Sequence, residues 1–406
     1  MGRLDVVILG ASGYTGRHVV RAAPRLLRGL AWAVAGRDAD KLRSALRDAT
    51  NKIGEDITSI ECIVADVSDA DSLRAMCERA RIVVNCCGPY RFYGEPVLQA
   101  AIQSRTHYVD VCGEPQFMEL MQLRHGAEAR ASGVYAVSAC GFDSIPLDLG
   151  VVHLQNNFTG TLNSVESYLD IKSTATLKNT SAVNFGTWES LIYGLAHYDE
   201  LKSLRKQLYP TPLPVLKPRV KTRVLHRDAD GTWCLPFPGA DPSVAYRTQR
   251  LRTRPAYVRT YYRVGSLPAA LATILAAIFL FLMCRTEFTR KLLLNYPALF
   301  TFGFVSKESP NEAVGESTEF ELTLRGKGWP AEPSDQPPSK TITAKVSGVN
   351  PGYGLTAVML LLSALTILNE PDKIPEPGVL TPGAAFGDTQ LVRRLNENGV
   401  KFEILP

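Results

Sequence analysis

Val6-Val7-Ile8-Leu9-Gly10-Ala11-Ser12-Gly13-Tyr14-Thr15-Gly16 opens the chain with four apolar, strand-prone residues that run directly into three glycines spaced G-x-x-G-x-x-G. The pattern reads as a strand, a tight turn and a helix start. The first glycine permits the turn, the second lets backbone approach a pyrophosphate, and the third lets helix and strand pack closely, while the helix N-terminus favours phosphate charge. A dinucleotide cradle is the expectation, with an ordinary loop on a cofactor-free fold as the alternative.

Working outward, a second apolar run, Leu30 to Ala35, ends in Gly36-Arg37-Asp38, where this kind of fold meets the adenosine ribose. An NAD-selective site places a carboxylate there, whereas an arginine pairs with a 2′-phosphate. Arg37 comes first, so NADP(H) is favoured over NAD(H). Asp38 is left between a ribose contact and a cap on the following helix.

Further strands are read at Ile60 to Ala65, ending at Asp66, and at Ile82 to Asn85, ending in Cys86-Cys87-Gly88-Pro89-Tyr90. Two more run from Tyr108 to Val111, ending at Cys112-Gly113-Glu114, and from Val134 to Val137, leading into Cys140-Gly141-Phe142-Asp143. Helical stretches such as Ala70 to Arg79 and Gly94 to Ser104 alternate with them. The predicted fold class is α/β, a Rossmann-type doubly wound parallel sheet with ligands at the carboxyl ends of its strands. Those ends nominate Gly10, Ala11, Ser12, Gly13, Tyr14, Thr15, Gly16, Arg37, Asp66, Cys87, Gly88, Pro89, Cys112 and Gly113 as cofactor contacts.

Hydride chemistry belongs to the nicotinamide, so the protein must supply orientation and a proton relay. Tyr90 and Tyr93 offer hydroxyls just past the fourth strand, and Glu114 and Asp143 offer carboxyls past the fifth and sixth. Each has a structural alternative: tyrosines packed under the cofactor, carboxylates on backbone amides or helix ends.

The 406 residues, 45% of them hydrophobic, suffice for two or three domains. After about residue 150 the pattern turns to alternating and β-branched stretches, at Ser164 to Ile171, Glu319 to Leu324 and Thr341 to Val346. A largely antiparallel α+β domain is expected there. Gly326 to Lys340 reads as a loop, and Pro210, Pro212, Pro214 and Pro218 mark an irregular excursion. From residue 351 the apolar run Leu355 to Leu368 reads as a buried helix too short to span a bilayer. The division expected is therefore 1–150 with 351–406 as the dinucleotide domain, and 151–350 as a substrate or dimerisation domain.

Within the second domain, Leu267 to Cys284 carries no charge. At about 1.5 Å per residue it reaches roughly 27 Å against a hydrocarbon core of about 30 Å. A crossing would separate two halves of one domain, and a deep hairpin would bury Arg285, Glu287, Arg290 and Lys291. Residues 265–305 are instead expected to lie in a membrane interface, with Phe279, Phe281, Phe300 and Phe302 facing acyl chains. A core helix or an oligomer interface, including a homodimer, is the competing reading.

The formal net charge is only +5, yet residues 202 to 263 hold fourteen Lys and Arg against three Asp. No zinc-finger spacing, RNP strand or helix-turn-helix accompanies them, which argues against nucleic acid and for an anionic membrane surface, or else a solvated strand face. Eight cysteines form no CxxC pair and no metal-type cluster, so no metal and a reduced, intracellular setting are expected, with no secretory signal before the first strand.

Several motifs together carry a resemblance: Gly10 to Gly16, Val34-Ala-Gly-Arg37, Asn85-Cys-Cys-Gly-Pro-Tyr-Arg-Phe-Tyr-Gly-Glu-Pro96, Gly113-Glu-Pro-Gln-Phe117, Gly141-Phe-Asp-Ser-Ile-Pro146 and Thr381-Pro-Gly-Ala-Ala-Phe386. The chain resembles the saccharopine dehydrogenase-like oxidoreductases over nearly its whole length, closest to their eukaryotic branch. It is similar, more distantly, to bacterial trans-acting enoyl reductases that act on lipid intermediates. The resemblance implies a dinucleotide domain completed by C-terminal helices, a second substrate or dimerisation domain, and association with lipid droplets or membranes; the expected place is the cytosolic face of a membrane or lipid droplet, with mitochondrial association as an alternative. It does not imply saccharopine chemistry, whose arginine clamps have no one-to-one match here. The expected function is NADP(H)-dependent reduction of a C=C or C=O bond in a hydrophobic substrate. The alternative is a nucleotide-binding membrane adaptor or redox sensor without turnover.

Overall fold

The computed structural model describes residues 2–174, 181–214, 216–333 and 336–406. They form two compact units, residues 1–142 with 350–398, and residues 143–349 with 399–406.

The first unit is built on seven strands: β1 (Leu4–Leu9), β2 (Trp32–Gly36), β3 (Glu61–Val64), β4 (Ala80–Asn85), β5 (His107–Asp110), β6 (Tyr135–Val137) and, late in the chain, β13 (Gly378–Leu380). Their order is β13-β6-β5-β4-β1-β2-β3 and every pairing is parallel. Buried on both faces, such strands need continuous apolar sequence; Val6 to Leu9 and Ala33 to Ala35 are wholly inaccessible. The crossover helices are α1 (Tyr14–Leu26), α2 (Ala39–Ile53), α3 (Ala70–Glu78), α4 (Tyr90–Gln103) and α5 (Pro115–Ala131). The chain runs outward from β1 to β3 and returns to place β4 beside β1. That reversal leaves a crevice beyond the carboxyl ends of the strands, where such sheets take ligands.

The unit is completed by the helix Thr356–Asn369, which packs on α1, β4 and β5. Together with the π-helical turn Pro351–Leu355 it makes a 19-residue apolar helix, longer than the sequence pattern suggests, and long and apolar enough to cross a membrane. Seventy-eight per cent of its apolar window is buried inside the protein, so its hydrophobicity serves the core.

The second unit has a seven-stranded mixed sheet of β7 (Thr161–Ser173), β8 (His226–Arg227), β9 (Trp233–Pro236), β10 (Tyr257–Val264), β11 (Thr318–Trp329), β12 (Lys340–Val349) and β14 (Lys401–Leu405), ordered β14-β12-β11-β7-β10-β9-β8. β7 and β10 pair in parallel and the other pairs are antiparallel. Two expectations change here. Gly326 to Trp329 belongs to strand β11, because its backbone pairs with both β7 and β12. The boundary falls at residue 142 instead of 150, since α6 (Ile145–Asn157) packs on β11 and β12, and residues 399–406 join this unit through β14.

Inserted in this unit are α7 (Phe185–Ala196), α8 (Glu200–Leu208), α9 (Asp241–Leu251), α10 (Leu267–Met283) and α11 (Glu287–Asn295). Trp188, Ile192, Cys284, Leu293 and Val305 form a satellite core, locked by Trp188 Nε1 donating to Leu293 O at 3.0 Å. α10 and α11 meet at a 120° bend. Leu293 on α11 is buried, and that helix ends at Asn295. On α10 only Ala270 is buried, while Leu271, Leu275, Ile278, Phe279 and Leu282 stand exposed on recurring helical positions. Phe302 is 98% exposed. Phe300 instead packs on the satellite core, and Phe281 is half-buried beneath Arg285.

Candidate functional site

The cradle is tight by construction. Gly10 has φ +79°, and a Cβ there would lie 2.8 Å from Cys87 Sγ, so the β1–α1 turn and the β4–α4 loop face each other across the crevice. A Cβ on Gly16 would stand 2.1 Å from Gly10 O. Ala35 O holds the turn through Gly10 N at 2.9 Å, and Gly10 O accepts from Gly13 N at 3.0 Å.

Helix starts beyond the carboxyl ends of these strands differ in how their amides are capped. Asp38 Oδ1 accepts from Asp40 N and Lys41 N at the start of α2. Asp69 does the same for α3 through Asp71 N and Ser72 N. Glu114 reaches α4, taking Tyr90 N at 2.8 Å and Arg91 N at 3.0 Å. α1 begins at Gly13 with no side-chain cap and no acidic residue in its first turn. A helix start without a side-chain cap, its positive end and a glycine floor fit a diphosphate.

Arg37 follows β2, exposed, and its guanidinium makes no hydrogen bond or ion pair among the described residues. Asp38 caps α2, and the amide of Lys41 is the main cause holding its carboxyl below the usual range. Asp66, past β3, accepts from Ser68 N at 2.9 Å and Ser68 Oγ at 2.7 Å, closing its own turn. Cys87, Gly88 and Pro89 follow β4, and Cys112 and Gly113 follow β5. Because all these strands are parallel, every expected cofactor position lies on the side of the sheet where the carboxyl ends of its strands gather. Burial pushes the Cys87 thiol up to about 11, so it stays protonated.

The four residues expected to move protons part company. Tyr90 is buried; its hydroxyl donates to Asn85 O at 2.9 Å and accepts from Val111 N at 3.3 Å. Desolvation, reinforced by the Asp110 carboxyl, pushes its pKa well up. Glu114 is buried on the two α4 amides. Both residues take the structural role. Tyr93 is 43% exposed and its hydroxyl bonds to nothing among the described residues. Asp143 belongs to the second unit, where Ala240 N donates to it at 3.4 Å. Burial raises its pKa to about 6. Asp241, also buried, is pushed up by desolvation and by the carboxyls of Asp143 and Asp148.

Sequence reasoning passed over Asp110, which anchors the loops of the crevice. Its Oδ1 accepts from Cys112 N at 2.9 Å and Ala139 N at 3.0 Å, and its Oδ2 from Tyr108 OH at 2.8 Å and Ser138 Oγ at 3.0 Å. Tyr108 OH in turn accepts from Asn85 Nδ2, whose Oδ1 holds Cys87 N. The spacing Asp110-x-Cys112 is an Asx-turn signal that was available in the sequence. Tyr353 was passed over as well: it packs edge-on against Tyr14 at 4.6 Å and stacks on His18, bracing α1. The punctuated run Asn350-Pro-Gly-Tyr-Gly354 was its only sign.

Desolvation outweighs the four donors and raises the Asp110 pKa to about 6 from 3.8. A carboxyl whose folded pKa exceeds its unfolded one keeps its proton longer when folded. Its contribution is therefore most favourable below about pH 4 and declines as pH rises to about 6. Roughly two units correspond to about 3 kcal/mol. Urea unfolding at intervals across that range should show wild type losing about this much relative to Asp110→Asn; parallel profiles would contradict the assignment.

The profile of the saccharopine dehydrogenase NADP binding domain matches residues 6–137. A saccharopine dehydrogenase-like oxidoreductase of Bos taurus is 37% identical, over 98% of this chain and 97% of its own. A lipid droplet localized protein of Caenorhabditis elegans is 37% identical, over 100% and 99% respectively. Among solved structures, a saccharopine dehydrogenase (L-Glu forming) of Saccharomyces cerevisiae aligns over 99% of this chain and 100% of its own, with a TM-score of 0.56 and 15% identity, a likeness of fold.

Proposed function

This chain belongs to the saccharopine dehydrogenase-like oxidoreductases with an NADP-binding domain, and from that premise we propose that it reduces a C=C or C=O bond of a hydrophobic, lipid-like substrate while docked on a membrane or lipid-droplet surface. The observation that carries this reading is the exposed apolar face of the insert, Leu271, Leu275, Ile278, Phe279 and Leu282 with Phe302 beyond them. Such a patch on a soluble surface marks an interaction site, and fully burying one large apolar side chain is worth about 1.5–3 kcal/mol. Arg285 stands at the bend between α10 and α11, paired with Asp199, and Arg290 and Lys291 lie on α11, Lys291 paired with Glu287; all three would stand at the height of headgroups with the helices lying flat. The name of the C. elegans relative favours the droplet surface.

Two members of the basic stretch are engaged in ion pairs within the unit, and a third with a neutral amide. Arg263 pairs with Asp228 and Asp230, Arg223 with Glu166, and Arg254 with Asn156.

When bound, NADPH supplies the hydride. The chain's own part is to seat the diphosphate on α1, hold the crevice loops through Asp110, and offer the unengaged Tyr93 hydroxyl for proton delivery. One experiment joins both halves of the reading. NADPH oxidation is followed with an enoyl or ketoacyl substrate dispersed in anionic vesicles, and the same vesicles are floated through a gradient. Wild type should turn over and float. Leu275→Asp with Phe302→Asp should stay in the dense fraction with its NADPH affinity unchanged. Tyr93→Phe should float and bind NADPH but lose about 10²-fold or more in turnover, whereas Tyr90→Phe should mainly lose stability. A folded wild type that binds NADPH but never consumes it would make the chain an adaptor or sensor.

A further inference from the structure

A cavity of about 410 Å³ lies wholly within the second unit, between β10, α9 and the proline-rich excursion, inside the range of about 300–1,000 Å³ typical of small-molecule sites. Its walls are mostly apolar: Pro212, Leu213, Leu216, Phe237, Pro242 and Val258 are representative. The excursion is not a loose flap. Arg250 Nη2 donates to Thr211 O at 2.5 Å, Tyr257 OH to Leu216 O at 3.0 Å, Asn163 Nδ2 to Pro218 O at 3.2 Å and Arg259 Nη2 to Val220 O at 2.6 Å. Four side chains thus stitch this strap to the body of the unit, and the cavity is preformed.

Hydroxyls of Thr222, Tyr246, Tyr257 and Thr260 line it together with Arg219, Gln249 and Arg259, and the charged members of this set are both cationic. Gln249 is 2% exposed, and its Oε1 accepts from Gln155 Nε2 at 2.9 Å. Gln155 Nε2 also donates to Arg254 O, which fixes the orientation of both amides. Gln249 Nε2 is left buried without an acceptor, as is Arg259 Nε. Arg219 makes no hydrogen bond or ion pair among the described residues, and no carboxylate lines the cavity. Gln249 Nε2 and Arg259 Nε are buried donors left unmatched, which carries a desolvation cost that an anionic oxygen would relieve, and the exposed guanidinium of Arg219 adds a second positive charge to the same lining. A free anion would satisfy the donors but leave the apolar wall wet.

We propose that this cavity binds a single-chain amphiphile with an anionic oxygen head, a fatty carboxylate, its head on Arg219, Arg259 and Gln249 and its chain along the proline-rich strap. The site lies apart from the dinucleotide cradle in the chain and requires no turnover, so it stands or falls independently of the reductase reading.

The test is calorimetric titration of the full chain with dodecanoate, dodecanol and inorganic phosphate, each below the concentration at which the amphiphile aggregates. Saturable binding of dodecanoate is expected, with dodecanol and phosphate each weaker by about tenfold or more. Arg219→Gln, an exposed position whose replacement leaves the fold intact, should weaken dodecanoate by a similar factor and leave dodecanol and NADPH affinities unchanged. The proposal is overturned by absence of saturable dodecanoate binding, by equal affinity for the alcohol or for phosphate alone, or by indifference to Arg219→Gln. Loss of NADPH binding in the same wild-type preparation would count against the cofactor reading and leave this one standing.

Discussion

Gly16→Ala is expected to abolish saturable NADPH binding and to lower stability by about 1–3 kcal/mol, the range for forcing atoms into a packed site. The added carbon would lie 2.1 Å from Gly10 O and 2.8 Å from both Ala11 Cα and Gly10 C. All three are backbone atoms of the turn, which cannot rotate away as a side chain would. Either α1 moves outward from β1 or the turn opens, and both displace the uncapped amides that would face the diphosphate. Urea unfolding and NADPH fluorescence titration read the two effects separately. Gly126→Ala is the control, since a Cβ at that position in α5 meets nothing within 4 Å and alanine is the better helix former. Normal NADPH affinity in Gly16→Ala would remove the physical basis of the cradle.

Arg37→Ala is expected to weaken NADPH while leaving NADH affinity unchanged. A hydrogen bond to a charged group is worth about 1.5–3 kcal/mol, equivalent to roughly 10–150-fold in affinity. The selectivity argument rests on what surrounds the arginine. Asp38, the residue that would favour an unphosphorylated ribose, has its Oδ1 on two amides of α2, and Asp66 is closed on Ser68. Among the described residues Arg37 keeps its donors unengaged, and a 2′-phosphate is the group that would use them. Parallel titrations of wild type and variant with both coenzymes decide the matter. An equal loss for NADH, or none for NADPH, would move 2′-phosphate recognition elsewhere.

Much of the dinucleotide half was legible because its signals are local. Buried parallel strands must be apolar on both faces, so Val6 to Leu9 and Ile82 to Asn85 announce themselves, and strand ends at Gly10, Gly36 and Gly88 are marked by glycine. Boundaries moved by a few residues, as when α4 began at Tyr90. The second unit was harder to read. Its β11 runs through Gly326 and Gly328, residues that look like loop until their partners on β7 and β12 are known. Likewise, fourteen basic residues within sixty or so positions suggested a charged surface, but two of them, Arg223 and Arg263, are paired with Glu166, Asp228 and Asp230 across the sheet.

The side-chain roles show the same limit at atomic scale. Nothing near Tyr90 in sequence reveals that its hydroxyl lies between Asn85 O and Val111 N, or that Glu114, 24 residues onward, holds its amide. Backbone sterics and the two-residue and 3.6-residue periods act within a few positions, and they were enough to place a glycine turn between strand and helix and to rank Arg37 above Asp38. Whether a buried carboxylate caps a helix, anchors a loop or stands beside another carboxylate depends on groups that folding gathers from distant positions. The reason is desolvation: once water is excluded, each polar atom must take whichever partner the packed chain presents.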